Sequence, residues 1–384
     1  MKLTKLAATG FVLSLAVVLS ACGGTSTNPA SSGASGGAID YSKDVGIVLS
    51  DASQPRWVMA EAQFKDAMPG VQIKFSNNDT SVEKTNVDAF IAAGVKVLII
   101  NSIDGAAAAS EADAAKAAGI PVIAYDRLIM NTANVAYYVT FDSVQVGQAQ
   151  GKYLADQAKA AGTKGQNLYL FAGDVADNNA FLFFKGAWSQ LQPLIADGTF
   201  NVINSPQAIK YKDTTADALT HDQESEIMQP ITTKWDPTVA KGLAEAALAG
   251  ANASQKGAVY VLAPNDQTSC AMTDAFRADK DVTSINSTGQ DLAKSSVQYI
   301  LDGKQSMTVF KSDKYLVQES QSLVSSIIGG TAADPQIITT TYNNGTADIP
   351  SSAAEITVVT KDNVEQVVND SGLYTITNGV VNDK

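Results

Sequence analysis

Histidine is nearly absent from this chain of 384 residues, which contains a single one, His221. One histidine gives little support for a His-rich metal site or for a Ser-His-Asp catalytic triad. No G-x-G-x-x-G pattern follows the first predicted strand, and no phosphate-binding loop of the G-x-x-x-x-G-K-[ST] type occurs. A match to G-x-S-x-G at 33–37 lies in a glycine- and serine-rich stretch, outside any strand-to-helix turn. We therefore expect no catalytic residues, no metal site and no cofactor.

Cysteine is scarce as well, and positive charge is outnumbered. The chain has two cysteines and a formal net charge of −12. An acidic chain is poorly suited to bind nucleic acid, and we expect no such partner. If Cys22 is modified, as argued next, Cys270 is the only thiol left and no disulfide can form within the chain. We expect Cys270 to be a small buried apolar residue.

The N-terminus has the order of a secretory signal peptide over residues 1–21. Two lysines precede an apolar stretch, and small residues come just before Cys22. The segment from Leu19 to Cys22 resembles the lipobox of bacterial lipoproteins, in which the cysteine carries a lipid; an ordinary signal peptide is the alternative. Residues 22–38 then read as the lipidated cysteine and a flexible tether of glycine, serine, alanine and threonine. No later apolar run is long enough to span a bilayer.

Beyond the tether, short β-branched runs alternate with amphipathic stretches, a pattern typical of βαβ units and parallel sheets. The pattern restarts after Phe141–Asp142, which predicts two similar halves. The predicted strands are 45–49, 71–75, 95–101, 121–125, 167–172, 200–204, 258–263 and 283–287. In such sheets, ligands bind at the carboxyl ends of the strands. The loops at those ends therefore hold the candidate site residues.

Arginine and tryptophan are rare, with three of each, and most of them fall in these loops. Arg56, Trp57, Arg127 and Trp235 lie where a cleft is expected, although each alone also fits a core or surface position. Carboxylates and amides gather at the same strand ends, although each alone also fits a helix cap. These polar residues are Asp126, Asp177, Asn178, Asn179, Asn265, Asp266, Gln290 and Asp291. Together they suit a sugar, whose hydroxyls both donate and accept hydrogen bonds and whose apolar faces fit aromatic rings.

An ordered series of motifs resembles the sugar-binding proteins of bacterial ABC importers, specifically their xylose-binding and multiple-sugar-binding branch. The resemblance spans residues 44 to about 374. Its motifs are Arg56-Trp57, Asn101-Ser102-Ile103-Asp104-Gly105, Ala124-Tyr125-Asp126-Arg127-Leu128-Ile129, Tyr137-Tyr138-Val139-Thr140-Phe141-Asp142, Asp177-Asn178-Asn179-Ala180-Phe181, Trp235-Asp236-Pro237, Gly289-Gln290-Asp291 and Val309-Phe310-Lys311. Residues 209–233 do not fit the series, which leaves the identity of the sugar open.

The resemblance implies an α/β fold with two Rossmann-like lobes, of the periplasmic binding protein type I, joined by a three-crossover hinge. We expect an N-terminal lobe of residues 39–141 plus 292–337 and a C-terminal lobe of residues 142–291 plus 338–384. The crossovers are then expected near 141–142, 289–291 and 337–343.

The resemblance also assigns roles to the candidate residues. Trp57 and Trp235 are expected to sandwich the sugar ring. The residues implied to bond its hydroxyls are Arg56, Asp126, Arg127, Asn179, Asn265, Asp291 and Lys311, with Asp177 and Asp266 as further candidates.

The implied function is to capture an aldose of the xylose, glucose, galactose or arabinose type and to deliver it to the permease of an ABC importer. We expect a monomer held outside the cytoplasm by the lipid on Cys22, in a periplasm or on the outer face of the membrane. Two alternatives are a sensor that docks on a receptor and an exported glycosidase with Asp126 and Asp291 as acid and base. Arg127, next to Asp126, argues against the glycosidase, because a neighbouring arginine favours the ionised carboxylate.

Overall fold

The computed structural model of the protein describes residues 38–384. The predicted signal peptide, the lipidated Cys22 and the tether up to residue 37 lie outside the described residues. Within residues 38–384, the chain forms two α/β units with mainly parallel sheets, which confirms the predicted fold class. No helix in this range has the length and apolar character needed to cross a membrane.

Helices and strands alternate along most of the described chain. The helices are α1 (Tyr41–Asp44), α2 (Pro55–Ala67), α3 (Thr80–Ala93), α4 (Ala109–Ala117), α5 (Ser143–Ala161), α6 (Asn178–Ala196), α7 (Pro206–Lys210), α8 (His221–Met228), α9 (Pro237–Gly250), α10 (Asp266–Ala278), α11 (Lys294–Leu301), α12 (Asp313–Gly329) and α13 (Val364–Ser371). The strands are β1 (Val45–Leu49), β2 (Gln72–Phe75), β3 (Val97–Ile100), β4 (Val122–Tyr125), β5 (Tyr137–Phe141), β6 (Gln166–Leu170), β7 (Phe200–Val202), β8 (Gly257–Leu262), β9 (Val282–Ser287), β10 (Met307–Lys311), β11 (Thr340–Asn343), β12 (Asp348–Ala354), β13 (Ile356–Thr360), β14 (Tyr374–Thr377) and β15 (Val380–Asp383).

We call the larger sheet and its helices the first lobe. The strand order of this sheet is β11-β12-β5-β4-β3-β1-β2. All neighbours are parallel except the antiparallel edge strand β11. Alternate residues of β1 enter different apolar clusters, since Ile47 belongs to one and Val48 to the other. Helices cover both faces of the sheet, so its central strands β1, β3 and β4 read as continuous apolar runs.

The second lobe is built on a four-stranded parallel sheet with the order β7-β6-β8-β9. It too has an apolar cluster on each face, with Leu168 in one and Tyr169 in the other. The start of α9 is as predicted: Asp236 accepts a hydrogen bond from the backbone N–H of Thr238, and Pro237 is the first helical residue. The loops before α6, α9 and α10 lie at the carboxyl ends of the strands of this sheet.

The crossings between the lobes differ from the predicted boundaries. Helix α11 packs on α10 and α13, whereas α12 packs on α2 and β5, so the chain returns to the first lobe after β10, at 311–313. Strands β11 and β12 then complete the sheet of the first lobe through the parallel pairing of β12 with β5. The assignments of residues 292–311 to the N-terminal lobe and of residues 340–354 to the C-terminal lobe were therefore wrong. The third crossing lies at 354–356, where β13 begins and pairs with β10.

Candidate functional site

A cleft between the two lobes holds most of the residues singled out in the sequence. The space not filled by atoms there is about 310 Å³, including the part open to solvent. Its lining residues are Gln54, Arg56, Trp57, Asp126, Arg127, Asp177, Asn179, Phe183, Trp235, Asn265, Gln290, Asp291 and Lys311.

The first turn of α2 brings Arg56 and Trp57 into the cleft. Pro55 is the first residue of that helix, a position that suits its fixed φ and its missing N–H. The guanidinium carbon of Arg56 lies 4.6 Å from the centre of the Trp57 ring, and that of Arg127 lies 5.6 Å from it. The indole N–H of Trp57 is buried and has no hydrogen-bond partner among the described residues. The ring is thus held by cation–π contacts, with its polar edge unused.

Asp126 leaves β4 with a left-handed backbone, at φ 62°. Its carboxylate pairs with Arg56. Its carbonyl oxygen accepts hydrogen bonds from the hydroxyl of Tyr138 (2.8 Å) and from the amide of Asn179 (2.7 Å). Burial opposes the charge on Asp126, but Arg56 and Lys311 outweigh it and hold the pKa of this carboxyl below its usual value. Asp126 is therefore ionised at neutral pH.

Arg127 links the two lobes through Asp177. Its Nε lies 3.1 Å from Oδ2 of Asp177, and its Nη1 donates to the carbonyl of Ser102 at 3.1 Å. Asp177 also caps α6, because it accepts the backbone N–H of Asn179 at 2.9 Å. Burial raises the pKa of Asp177, and Arg127 partly offsets that rise. Nearby, the N–H of Gly105 donates to the carbonyl of Ala176 at 3.2 Å, a second link between the lobes.

Trp235 reaches the cleft from the loop before α9 with a left-handed backbone, at φ 58°. The ring of Phe183 stands edge-on to it, with 6.2 Å between centroids and 80° between planes. Gly173 makes room for it, since a Cβ there would lie 2.1 Å from Cη2 of Trp235. The indole N–H of Trp235 is also buried without a partner among the described residues.

The remaining wall comes from the hinge side of the second lobe. Nζ of Lys311 lies 3.1 Å from Oδ1 of Asp291. The same oxygen lies 3.8 Å from Nη1 of Arg56. Asn265 caps α10 by accepting the backbone N–H of Thr268 at 3.3 Å. Each of the three cations of the cleft is thus paired with a carboxylate.

Two candidate residues, Asn178 and Asp266, do not line the cleft, and three residues in or near it were not among the candidates. Asp266 is fully buried behind the wall, where it accepts from Thr308 (2.7 Å) and from the backbone N–H of Ala293 (2.8 Å). Burial, followed by the charge of Asp291, raises its pKa to about 7. The missed residues are Gln54 and Phe183, which line the cleft, and Asp313, which bonds Arg56. No sequence signal marks these three residues, whereas Gln290, which also lines the cleft, follows a predicted strand and stands in a recognised motif.

A family model described as "Periplasmic binding protein domain" matches residues 45–332. The chain is similar to the multiple sugar-binding periplasmic receptor ChvE of Rhizobium radiobacter, with 31% identity over 86% of this chain and 90% of the relative. It is also similar to the D-xylose-binding periplasmic protein of Escherichia coli, with 29% identity over 86% of this chain and 90% of the relative. A solved structure, a carbohydrate transporter solute-binding protein from Chloroflexus aurantiacus in complex with D-glucose, is 49% identical. It covers 87% of this chain and 98% of its own, with a TM-score of 0.83.

Proposed function

The chain belongs to the periplasmic binding proteins, and from this premise we propose that it is the substrate-binding component of an ABC sugar importer that takes a monosaccharide between its lobes. The observation that carries the proposal is the cleft, which combines paired charges, amides and two tryptophans. The 49% identical solved structure with D-glucose and the D-xylose-binding relative support an aldose as the ligand.

The chemistry of the cleft suits a neutral polyhydroxyl ligand. Carboxylates such as Asp126 and Asp291 can accept hydrogen bonds from sugar hydroxyls. Arg127 and Lys311 can donate hydrogen bonds to the oxygens of the same hydroxyls. Trp57 and Trp235 supply aromatic faces for the apolar C–H surfaces of the ring. The residues proposed to contact the sugar are Arg56, Trp57, Asp126, Arg127, Asp177, Asn179, Trp235, Asn265, Asp291 and Lys311.

The same charges favour binding over hydrolysis. A glycosidase needs a carboxyl that keeps its proton near neutral pH. The pKa of Asp126 is instead held below its usual value by Arg56 and Lys311, against the effect of burial. We expect no release of chromophore from aryl glycosides, and steady turnover above a buffer blank would contradict the binding role.

Closure of the lobes over the sugar is the proposed step that the permease recognises. Hinge closure is a known transition of periplasmic binding proteins, and a ligand favours the closed state only through contacts that the open state lacks. Residues from both lobes line the cleft, Asp126 in one and Asn179 in the other, so a sugar that touches both favours closure.

The periplasmic relatives support an extracytoplasmic location. We further propose that a lipid on Cys22 anchors the protein to the membrane near the permease. Metabolic labelling with a radioactive fatty acid tests the anchor. Label should appear on the full chain and disappear in Cys22→Ala, and equal labelling of the two chains would contradict a lipid at this position.

The function is tested by thermal unfolding of residues 38–384 with and without sugars. A ligand at a hundred times its dissociation constant stabilises the native state by about 2.7 kcal/mol, which raises the unfolding midpoint. The panel comprises xylose, glucose, galactose, arabinose, ribose and fructose, with amino acids and phosphate esters as controls. A shift with aldoses alone supports the proposal, whereas a shift with the controls alone contradicts it.

Trp57→Ala tests the aromatic contact. Removing the ring removes apolar contact area and the support for Arg56, so sugar affinity measured by calorimetry should fall about tenfold or more. Val58→Ala is the matched control, because Val58 is the next residue of α2 and its side chain is 44% exposed. Unchanged affinity in Trp57→Ala would rule out the aromatic sandwich.

A further inference from the structure

Asp313 holds Arg56 although it does not line the cleft. It is the first residue of α12, directly after the crossing from β10, and is 7% exposed. Nε of Arg56 lies 3.2 Å and 3.3 Å from the two carboxylate oxygens of Asp313, and Nη2 of Arg56 lies 2.9 Å from Oδ1. This two-pronged contact of a planar guanidinium with a carboxylate fixes the orientation of both groups.

The hydrogen bonds of Arg56 leave one of its nitrogens free. Nε donates to Asp313, and Nη2 donates to Asp313 and to Asp126. Nη1 donates to no group among residues 38–384, and it lies 3.8 Å from Oδ1 of Asp291. That oxygen is buried and has no hydrogen-bond partner in the same range. A donor without a hydrogen bond thus faces an oxygen whose ion-pair partner is Lys311, at 3.1 Å, across a gap too long for a hydrogen bond.

We propose that Asp313 is a positioning residue for ligand binding, which holds the guanidinium of Arg56 so that Nη1 donates to a sugar hydroxyl beside Asp291. This inference rests on the proposed sugar-binding function. A hydroxyl in the gap accepts from Nη1 and donates to Oδ1 of Asp291, which satisfies both groups. Without Asp313, Arg56 is free to turn its other nitrogens toward Asp291 and to close the gap itself.

The position of Asp313 also ties this arrangement to the hinge. Lys311, two residues earlier, pairs with Asp291 in the cleft. One short segment, 311–313, therefore holds one cation of the site and orients another. Because the chain crosses between the lobes here, Arg56 is oriented by the segment that sets the position of the lobes.

The test is the affinity of residues 38–384 for D-glucose and D-xylose in Asp313→Asn, measured by calorimetry. The amide keeps the shape but loses the charge, and it presents donors to a group that only donates. Affinity should fall about tenfold or more, because hydrogen bonds to charged groups are the stronger ones. Asp313→Glu keeps the carboxylate and should restore part of the loss.

Glu319→Gln is the matched control, since Glu319 is a carboxyl on the same helix that bonds Ser352 outside the cleft. It should leave the affinity unchanged. Arg56→Lys then separates positioning from a merely structural role, because lysine lacks the planar fork that Asp313 orients. In that background, Asp313→Asn should cost less than threefold.

The outcomes distinguish this inference from the function on which it rests. An equal loss of affinity from Asp313→Asn in the wild-type and Arg56→Lys backgrounds would show that Asp313 acts through the packing of α12, and would overturn the inference. Wild-type affinity in Asp313→Asn would overturn it as well, with the sugar-binding function intact. A wild-type protein that binds no monosaccharide would overturn both.

Discussion

Asp126, Trp235 and Asp291 combine left-handed backbone with a place in the cleft, at φ 62°, 58° and 104°. Non-glycine residues in this region cost of order 1–3 kcal/mol each, and they persist only where surrounding contacts hold them. At Asp126 those contacts include the hydrogen bonds that its carbonyl accepts from Tyr138 and Asn179. The free-energy cost of these conformations is consistent with a site whose side chains must be oriented before the ligand binds.

Gly173 provides a prediction about Trp235. A Cβ at this position would lie 2.1 Å from the indole ring, so Gly173→Ala should displace Trp235 and weaken sugar affinity about tenfold or more by calorimetry. Gly242→Ala is the matched control, because no atom lies within 4 Å of a Cβ there. Alanine inside α9 should leave affinity unchanged and stabilise the protein by about 0.5–1 kcal/mol. Equal affinities in both variants would show that Trp235 does not contact the sugar.

Single residues were predicted well where a motif or a rare residue type marked them. Ten of the eleven predicted contacts, all except Asp266, lie on the wall of the cleft, although no observation yet tests their contact with a sugar. Asp266 follows a strand, as other predicted contact residues do. Only the packing shows that its carboxylate accepts hydrogen bonds from Thr308 and Ala293 instead of facing the cleft. Phe183 reads as one apolar residue among many in α6. Asp313 is 257 residues from Arg56, a separation that no local pattern spans.

Helix α3 and the loop after β3 are connected by a buried carboxyl. Glu83 accepts the backbone N–H of Ile103 at 2.9 Å, in the loop whose Ser102 bonds Arg127. Burial, followed by the charge of Glu111, raises the pKa of Glu83 to about 8. The pKa of Glu83 in the folded state is raised from the ordinary value of 4.5. Its protonated carboxyl therefore contributes fully to the free energy of unfolding below pH 4.5, and this contribution is lost as the pH rises through 8.

Glu83→Gln tests this pH dependence. Glutamine still accepts a hydrogen bond from the N–H of Ile103 but has no proton to lose. The unfolding midpoint of the variant should therefore rise relative to that of the wild type as the pH increases from 6 to 9. An advantage of about 2 °C or more at pH 9 is expected in thermal scans. Glu245→Gln, on the exposed face of α9, should differ from the wild type by the same amount at every pH. A pH-independent difference for Glu83→Gln would show that this carboxyl is already ionised in the folded protein at pH 6.

The elements themselves were predicted unevenly. The eight predicted strands correspond to β1–β4 and β6–β9, because buried β-branched runs alternate with helices there. Strand β5 was not predicted as a strand, although its residues stand in a recognised motif, and strands β10–β15 were not predicted either. In that region the regular alternation stops, and β12 carries Pro350, a residue that disfavours strands in a sequence reading. The partner of β12 is β5, some 200 residues earlier, and only the tertiary fold reveals it.

For the molecule as a whole, lobe closure predicts a change of shape. The radius of gyration of residues 38–384, measured by small-angle X-ray scattering, should decrease when a saturating aldose is added, because the lobes approach each other. Trp57→Ala at the same sugar concentration, chosen below its own dissociation constant, should keep the larger value. An identical radius with and without bound sugar would contradict closure as the signal for the permease.

The parallel pairing of β12 with β5 makes the first lobe depend on a late part of the chain. A polypeptide is synthesised from its N-terminus, so Tyr138 of β5 can pair with Ser351 of β12 only when almost the whole chain is available. Until then β5 is an open strand edge, which is a template for aggregation. The seven-stranded sheet is therefore complete only after β12, Asp348–Ala354, has been synthesised. A chain that stops before residue 348 should leave β5 as an exposed edge strand and should aggregate more readily than the full chain.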